Sequence, residues 1–257
     1  MTVSTQQMPL PTIDQAVLTD LVRAALRNDG AEIDAWQSHE MHGGGAGSHI
    51  YKVRGEAHVY RTPLPWSLVL KVFDLQGEGL KAASVDPAAW DYWKREWLAY
   101  QAPWLQEMQG SLVAPRCLGA ADHPGVVAWL AMEDLSHVDE RPWPHTRFQT
   151  VARHVGAFNG AYLVGRPMPR DSWLSHGWLR GWTERAEPMV ALLPTVADHA
   201  VVREIFAETT ITELLRLWEE RNAFFDALDA LPQTLCHQGI SSRATSSCAR
   251  RRTAIKL

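Results

Sequence analysis

Apolar residues recur at helical spacing near the start of the chain. Within residues 14–28 they occupy positions 17, 18, 21, 22, 25 and 26, which form one face of a helix with a 3.6-residue period. Asn28, Asp29 and Gly30 follow and are typical of a helix end. The pattern therefore predicts an amphipathic helix over residues 14–28.

The next part of the chain has the patterns of strands. Residues 32–61 begin with an irregular piece, pass through HGGGAGSH and end in IYKVRGEAHVYR, which has strand character. Pro63 and Pro65 predict a turn, and the nearly all-apolar WSLVLKVFD of residues 66–74 predicts a buried strand. Two further strands are predicted at 112–120 and 126–133, around the turn Asp122-His123-Pro124-Gly125.

Helical patterns dominate the remaining chain. Residues 88–104 carry Trp or Tyr at positions 90, 93, 97, 100 and 104, a single aromatic stripe that predicts a helix. Two later helices are indicated around 148–162 and 214–228. Strands in the first half and helices in the second predict an α+β fold in which a small sheet lobe joins a helical lobe near residues 133–137. The segment Trp173–Trp182 either lines a pocket or packs on the helical lobe, and packing is favoured.

Composition narrows the protein class. The three cysteines, Cys117, Cys236 and Cys248, lie far apart, which argues against a disulfide framework or a Cys-based zinc site and favours a reduced, cytoplasmic setting. His39 and His42 are three residues apart, whereas a zinc helix needs four. The longest apolar run has seven residues, and the first residues do not resemble a signal peptide. The net charge of −4 argues against nucleic-acid binding, so neither a membrane nor a nucleic-acid partner is expected.

Four features in sequence order suggest phosphate chemistry. Glycines before a strand let backbone N–H groups approach a phosphate closely, although such a run can equally be a surface turn. Lys71 lies inside an apolar strand and must reach solvent or an anion. Glu96 borders the aromatic stripe, where its carboxylate can reach a buried lysine or can be an exposed helix charge beside Lys94 and Arg95. The fourth feature is an acidic connector after a strand. The candidate residues are Gly43, Gly44, Gly45, Gly47, Ser48, Lys71, Glu96, Met132, Glu133 and Leu135.

Taken together, these segments resemble the aminoglycoside phosphotransferase and choline kinase-like family, which has a two-lobed protein-kinase-like fold. The resemblance covers residues of about 40 to 238 and is carried by GGGAGSHIYKV, LVLKVF, KREWLAY, AWLAMEDL, ARHVGAFNGAYL and LPQTLCHQ. It implies an ATP- and Mg²⁺-dependent transfer of phosphate to a hydroxyl group of a small molecule. It also implies that Lys71 holds the ATP phosphates, that Glu96 pairs with Lys71, and that residues 132–135 border the adenine.

The same resemblance implies a domain division and a defect. The division is an N-terminal lobe over 1–135, a partial helical lobe over 136–240 and a basic tail over 241–257. His237 would be the structural histidine of the catalytic loop. Gly239 stands where the family has its catalytic Asp, and Ala244 stands where it has a metal-binding Asn. A second metal-binding Asp has no counterpart. Little or no catalysis is therefore expected.

The tail differs in charge from the rest of the chain. Residues 241–257 hold five basic and no acidic residues, whereas the other 240 hold 20 basic and 29 acidic ones. One GC-rich choice of codons for residues 243–248, read in another frame, encodes Arg-Asn-Leu-Phe-Val-Arg, the kind of continuation the family has. A frameshift near residue 239 is the favoured explanation, and a divergent disordered tail is the alternative.

Three hypotheses follow. The chain is a kinase-like transferase that has lost activity, a non-catalytic nucleotide-binding pseudoenzyme, or a truncated product without a function. The acceptor molecule cannot be inferred from the sequence.

Overall fold

Five antiparallel strands form a single sheet in an α+β fold. The structure is a computed structural model that describes residues 13–41, 48–75, 83–106, 112–123, 127–136 and 143–235. No helix within these residues is both long and apolar enough to cross a membrane. The strands are β1 Glu32–Met41, β2 Ser48–Val59, β3 Thr62–Asp74, β4 Cys117–His123 and β5 Val127–Glu133. The helices are α1 Gln15–Leu26, α2 Arg95–Gln101, α3 Pro103–Gln106, α4 His145–Leu163, α5 Trp178–Val190, α6 Leu193–Val196, α7 Ala200–Ile205 and α8 Glu208–Asp229.

The sheet has the order β1-β2-β3-β5-β4, with every neighbouring pair antiparallel. Helix α1 covers one face of it. The predicted helix over 14–28 is confirmed to within two residues at each end, and the Asp14 carboxylate caps it by accepting from the Val17 N–H at 2.8 Å. Leu18, Leu21 and Val22 are buried against side chains of the sheet, chiefly Tyr51, Val53, Trp66, Leu68, Leu70, Val72, Trp129 and Ala131.

The turn between β2 and β3 lies earlier than predicted. Tyr60 and Arg61, both with positive φ, make the turn, whereas Pro63 and Pro65 are inside β3, paired with His58 and Glu56. The prediction of a turn at the prolines was wrong because β3 pairs with β5 only from Leu68 onward. Over residues 62–67 one side of β3 has no paired strand within the described sheet, so a missing N–H costs no ladder bond there.

The irregular piece predicted after residue 32 is also a strand. It forms β1, an edge strand along β2, with a register shift between Ile33 and Ala35. This bulge interrupts the two-residue alternation, and most side chains of β1 are exposed or half-buried. The apolar pattern by which strands are recognised in sequence is therefore weak here.

The aromatic stripe is not one helix. Helix α2 begins at Arg95 and ends at Gln101, before Pro103, and Trp90 and Trp93 lie in turns that precede it. The Arg95 guanidinium donates to the carbonyl oxygens of Trp90, Ala89 and Pro87, which stabilises this non-helical path. Strand β4 likewise starts later than predicted, at Cys117.

The second half is helical, as predicted. Helices α4 and α8 contain the predicted segments 148–162 and 214–228, and α5, α6 and α7 lie between them. The favoured packing role of the Trp173–Trp182 segment holds for its first residue, because Trp173 is buried and its ring stacks on Trp104 with centroids 6.1 Å apart. Trp178 and Trp182 are exposed.

Candidate functional site

One face of the sheet carries two lysines in otherwise mainly apolar surroundings. Cross-strand partners share a face, and Ile50 pairs with Lys71 while Lys52 pairs with Val69. Lys71 also pairs with Leu130 of β5. Both lysines therefore lie on the face opposite α1, two residues apart along neighbouring strands, which is about 7 Å.

Lys71 contacts Glu96. Its Nζ lies 2.5 Å from Glu96 Oε1, and the two side chains are 22% and 39% exposed. The predicted pairing of these residues is thus confirmed, although ATP binding by Lys71 stays a prediction. Glu96 lies in the first turn of α2, where the helix dipole favours a negative charge. The pair joins the middle of the sheet to the helix beside it.

Apolar packing places α2 against this face. Trp93 is buried with Phe73, Leu130 and Met132, and Trp97 and Tyr100 pack against the same cluster. Two contacts fix the start of the helix: Lys94 Nζ lies 2.6 Å from Asp122 Oδ2 of β4, and Arg95 Nε donates to the Trp173 carbonyl at 2.7 Å. The aromatic stripe therefore determines where Glu96 lies, even though it is not a continuous helix.

The segment predicted to border adenine divides between two faces. Met132 pairs with Val69, so it lies on the face of Lys71, where it is buried. Glu133 pairs with Leu68 on the opposite face, and its carboxylate accepts from the Arg116 N–H at 2.9 Å. Leu135 is 6% exposed. Of the three side chains, only that of Met132 is on the candidate face by register.

A second ionic contact on this face was not predicted. Lys52 Nζ lies 2.9 Å from Asp134 Oδ2 and donates to Ser136 Oγ at 2.6 Å. The side chain of Asp134 is 5% exposed, and its other carboxylate oxygen accepts from the Ser136 N–H at 2.9 Å. Lys52 thus crosses β3 and connects β2 to the end of β5. The only hint in the sequence is that Lys52 alternates with the apolar Tyr51 and Val53.

The hydrogen bonds that Asp134 accepts lower its pKa by more than its burial raises it. Burial by itself would raise the pKa of this carboxyl, because it disfavours the charged form. The Ser136 N–H, the Lys52 ammonium and the hydroxyls of Ser136 and Ser67 stabilise the carboxylate and lower the pKa to about 2. Asp134 is therefore ionised at neutral pH and holds Lys52 in a fixed position.

Ser48 is the described part of the predicted glycine loop. It is buried and pairs with Phe73, so it lies on the face of Lys71 at the start of β2. The loop itself connects β1 to β2. The remaining predicted site residues lie outside the described residues: Gly43, Gly44, Gly45, Gly47, His237 and Gly239.

The described residues do not include a grouping of three His, Cys, Asp or Glu side chains able to hold a metal ion. The implied metal-binding Asn position falls on Ala244, whose side chain has no ligating atom, and the implied second metal-binding Asp has no counterpart in the sequence. These residues do not fit the group, so no step through Mg²⁺ is derived for this chain.

Comparison with protein-family models, with curated proteins and with solved structures finds no match to this chain.

Proposed function

We propose that this protein binds a nucleotide through a kinase-like N-terminal lobe and transfers little or no phosphate. The proposed class is the aminoglycoside phosphotransferase-like family, with a two-lobed fold divided near residue 135. Two of its parts rest on residues outside the described structure, the glycine loop and the catalytic loop.

The observation that carries the proposal is the contact between Lys71 and Glu96. A lysine in the middle strand of a buried sheet needs an anion, and a carboxylate from a packed helix supplies one while leaving the ammonium partly accessible. In kinase-like sites this arrangement holds a lysine ready for the α- and β-phosphates. The glycine run at 43–47 directly precedes β2, whose first residues, Ser48 and Ile50, pair with Phe73 and Lys71 of β3, and the N–H groups of such a run can bind phosphate.

Binding without turnover follows from the residues of the catalytic segment. A nucleotide supplies the phosphoryl group when bound, and an acidic residue must orient the acceptor hydroxyl for transfer. Gly239 has no side chain that could do this. Lys71 would still bind and orient the phosphates. The residues of this chain thus support a protein that binds a nucleotide without catalysing phosphate transfer.

The proposal is tested by thermal unfolding with and without ATP. At 100 times its dissociation constant a ligand stabilises a protein by about 2.7 kcal/mol, which raises the melting temperature of a chain of this size by roughly 5–8 °C. We expect such a shift for the wild-type chain and its loss in Lys71→Met. Arg180→Met is the matched control, because it removes a cation–carboxylate contact of similar length that joins α5 to α8 and involves no residue of the candidate face.

Each variant is compared with its own unliganded melting temperature. A wild-type chain that does not respond to ATP at millimolar concentration contradicts the proposal. An equal loss of response in both variants would also contradict it, because binding would then not depend on the candidate site. Turnover of ATP with a panel of amino sugars and amino alcohols would refute the absence of catalysis while leaving nucleotide binding intact.

A further inference from the structure

Helix α8 has two apolar faces, and one of them is packed within the chain. Phe225 is buried, and the Arg180 guanidinium of α5 lies 5.0 Å from its ring. Arg180 also pairs with Asp226 and Asp229, each at 2.8 Å, which fixes α8 against α5. The side of α8 that faces α5 is therefore packed within the chain.

The second apolar face is exposed. We name it the α8 stripe; its members recur at alternating steps of three and four residues, interrupted by one arginine. Each leucine or phenylalanine in it is 43–57% exposed. A backbone hydrogen bond from the Leu231 N–H to the Leu228 carbonyl extends the turn past the helix end. The α8 stripe consists of Leu214, Leu217, Arg221, Phe224, Leu228 and Leu231.

We infer that a second copy of this chain covers the α8 stripe, with the two helices antiparallel. Alternating spacings of three and four residues form the seam by which two helices pack side by side. The stripe is also self-complementary under a twofold axis between residues 222 and 223. Leu214 then faces Leu231 of the second copy, and Leu217 faces Leu228 of the second copy. A closed, isologous dimer results.

The arginine determines the orientation. In the antiparallel arrangement Arg221 faces Phe224 of the second copy, and a guanidinium is attracted to an aromatic ring. A parallel arrangement would place the two Arg221 side chains opposite each other, and their like charges would repel. Arg221 lies over the Trp218 ring at 4.4 Å and contacts Glu187 of α5 at 3.7 Å, so its guanidinium lies at the edge of the stripe toward α5, with its side chain 26% exposed.

The area available fits a weak dimer. From their exposed fractions, the five apolar side chains leave on the order of 450 Å² accessible in one copy. Two copies would bury about 900 Å² through these side chains alone, close to the roughly 1,000 Å² that specific interfaces exceed. We therefore expect a weak dimer whose population depends on concentration.

Sedimentation equilibrium of the full chain tests this inference. We expect the weight-average mass of the wild type to exceed 28.8 kDa clearly at 100 μM and to rise toward twice that value as the concentration increases. Leu217→Glu and Leu228→Glu should each weaken association by at least about 100-fold, because each places two unpaired carboxylates in the seam. Leu192→Glu is the matched control: Leu192 is 58% exposed but precedes α6, so the dimer should persist.

A monomer at 100 μM overturns the inference and means that the stripe is covered by another molecule or stays in water. A dimer that survives Leu217→Glu and Leu228→Glu overturns it as well. Circular dichroism verifies that each variant keeps its helices, which is expected because the substituted residues are half-exposed.

Cysteine cross-linking tests the orientation. In a background of Cys117→Ala, Cys236→Ser and Cys248→Ser, a chain with Leu214→Cys is mixed with a tagged chain with Leu231→Cys. An antiparallel dimer gives the mixed disulfide, because residues 214 of the two copies would be about 25 Å apart along the helix axis. Cross-linking of Leu214→Cys with itself would instead show a parallel dimer and refute the proposed pairing.

Discussion

Asp134→Asn should reduce stability in a way that depends on pH. The carboxylate binds Lys52 at 2.9 Å and accepts from the Ser136 N–H at 2.9 Å, and its pKa of about 2 compares with an ordinary 3.8. Lowering the pKa by that amount corresponds to about 2 kcal/mol of the free energy of unfolding. The substitution keeps the shape of the side chain but removes the charge and leaves the Lys52 ammonium with a weaker partner.

The direction of the pH effect follows from the lowered pKa. A carboxyl whose pKa is lower when folded stabilises the protein at every pH above its unfolded value of about 4. That contribution is lost as the pH falls from about 4 to about 2, where the folded form also takes up a proton. The difference between wild type and Asp134→Asn should therefore be about 2 kcal/mol at pH 7 and should shrink between pH 4 and pH 2.

Urea unfolding at several pH values between 2 and 7 measures this difference. Asp226→Asn is the control, because Asp226 contacts Arg180 at a similar distance but its side chain is 77% exposed. An exposed pair contributes about 1 kcal/mol or less. The argument is refuted if Asp134→Asn lowers the free energy of unfolding at pH 7 by no more than Asp226→Asn does. It is also refuted if Asp134→Asn lowers that free energy by the same amount at pH 2.5 as at pH 7.

Two further predictions concern β2 and the turn that follows it. Gly55→Ala should destabilise the chain by several kcal/mol, because an added Cβ would lie 2.0 Å from the Ala35 carbonyl oxygen in the bulge of β1. A variant that unfolds at the same urea concentration as the wild type would contradict this prediction. Arg61→Gly should raise stability by about 0.5–1 kcal/mol, because Arg61 has a φ of 96° that glycine adopts without strain; a lower melting temperature would show that the Arg61 side chain contributes more than the turn costs.

The contact between Lys71 and Glu96 was predicted from the resemblance to a family. Lys71 stands out within an apolar strand and Glu96 beside an aromatic stripe, but either pattern alone also fits a side chain that reaches solvent. Lys52 and Asp134 lie 82 positions apart, the first on β2 and the second just after β5, which is not a neighbour of β2. Their contact follows only from the order β2-β3-β5. Neither Lys52 nor Asp134 interrupts a run of apolar residues strongly enough to indicate that it has a charged partner.

The predicted positions of a helix and a turn were wrong where a tertiary contact or the place in the sheet outweighs the spacing of residues along the chain. The spacing of Trp90, Trp93 and Trp97 fits a helix, yet the carbonyls of residues 87, 89 and 90 accept from the Arg95 guanidinium, and the backbone there forms turns. Pro63 is an ordinary turn signal, but a strand with one unpaired side accepts it. In both cases a tertiary contact or the position in the sheet determined the structure.

The two lysine–carboxylate pairs on the candidate face differ in how easily their partners can be exchanged. Asp134 is nearly inaccessible and accepts from several donors, so an incoming anion would have to replace a network in order to bind Lys52. Glu96 is 39% exposed, and within the described residues no second acceptor contacts the Lys71 ammonium. A phosphate can therefore approach Lys71 while Glu96 stays bound. By this reasoning Lys52 contributes mainly to the stability of the sheet, and Lys71 is the lysine that a nucleotide would engage.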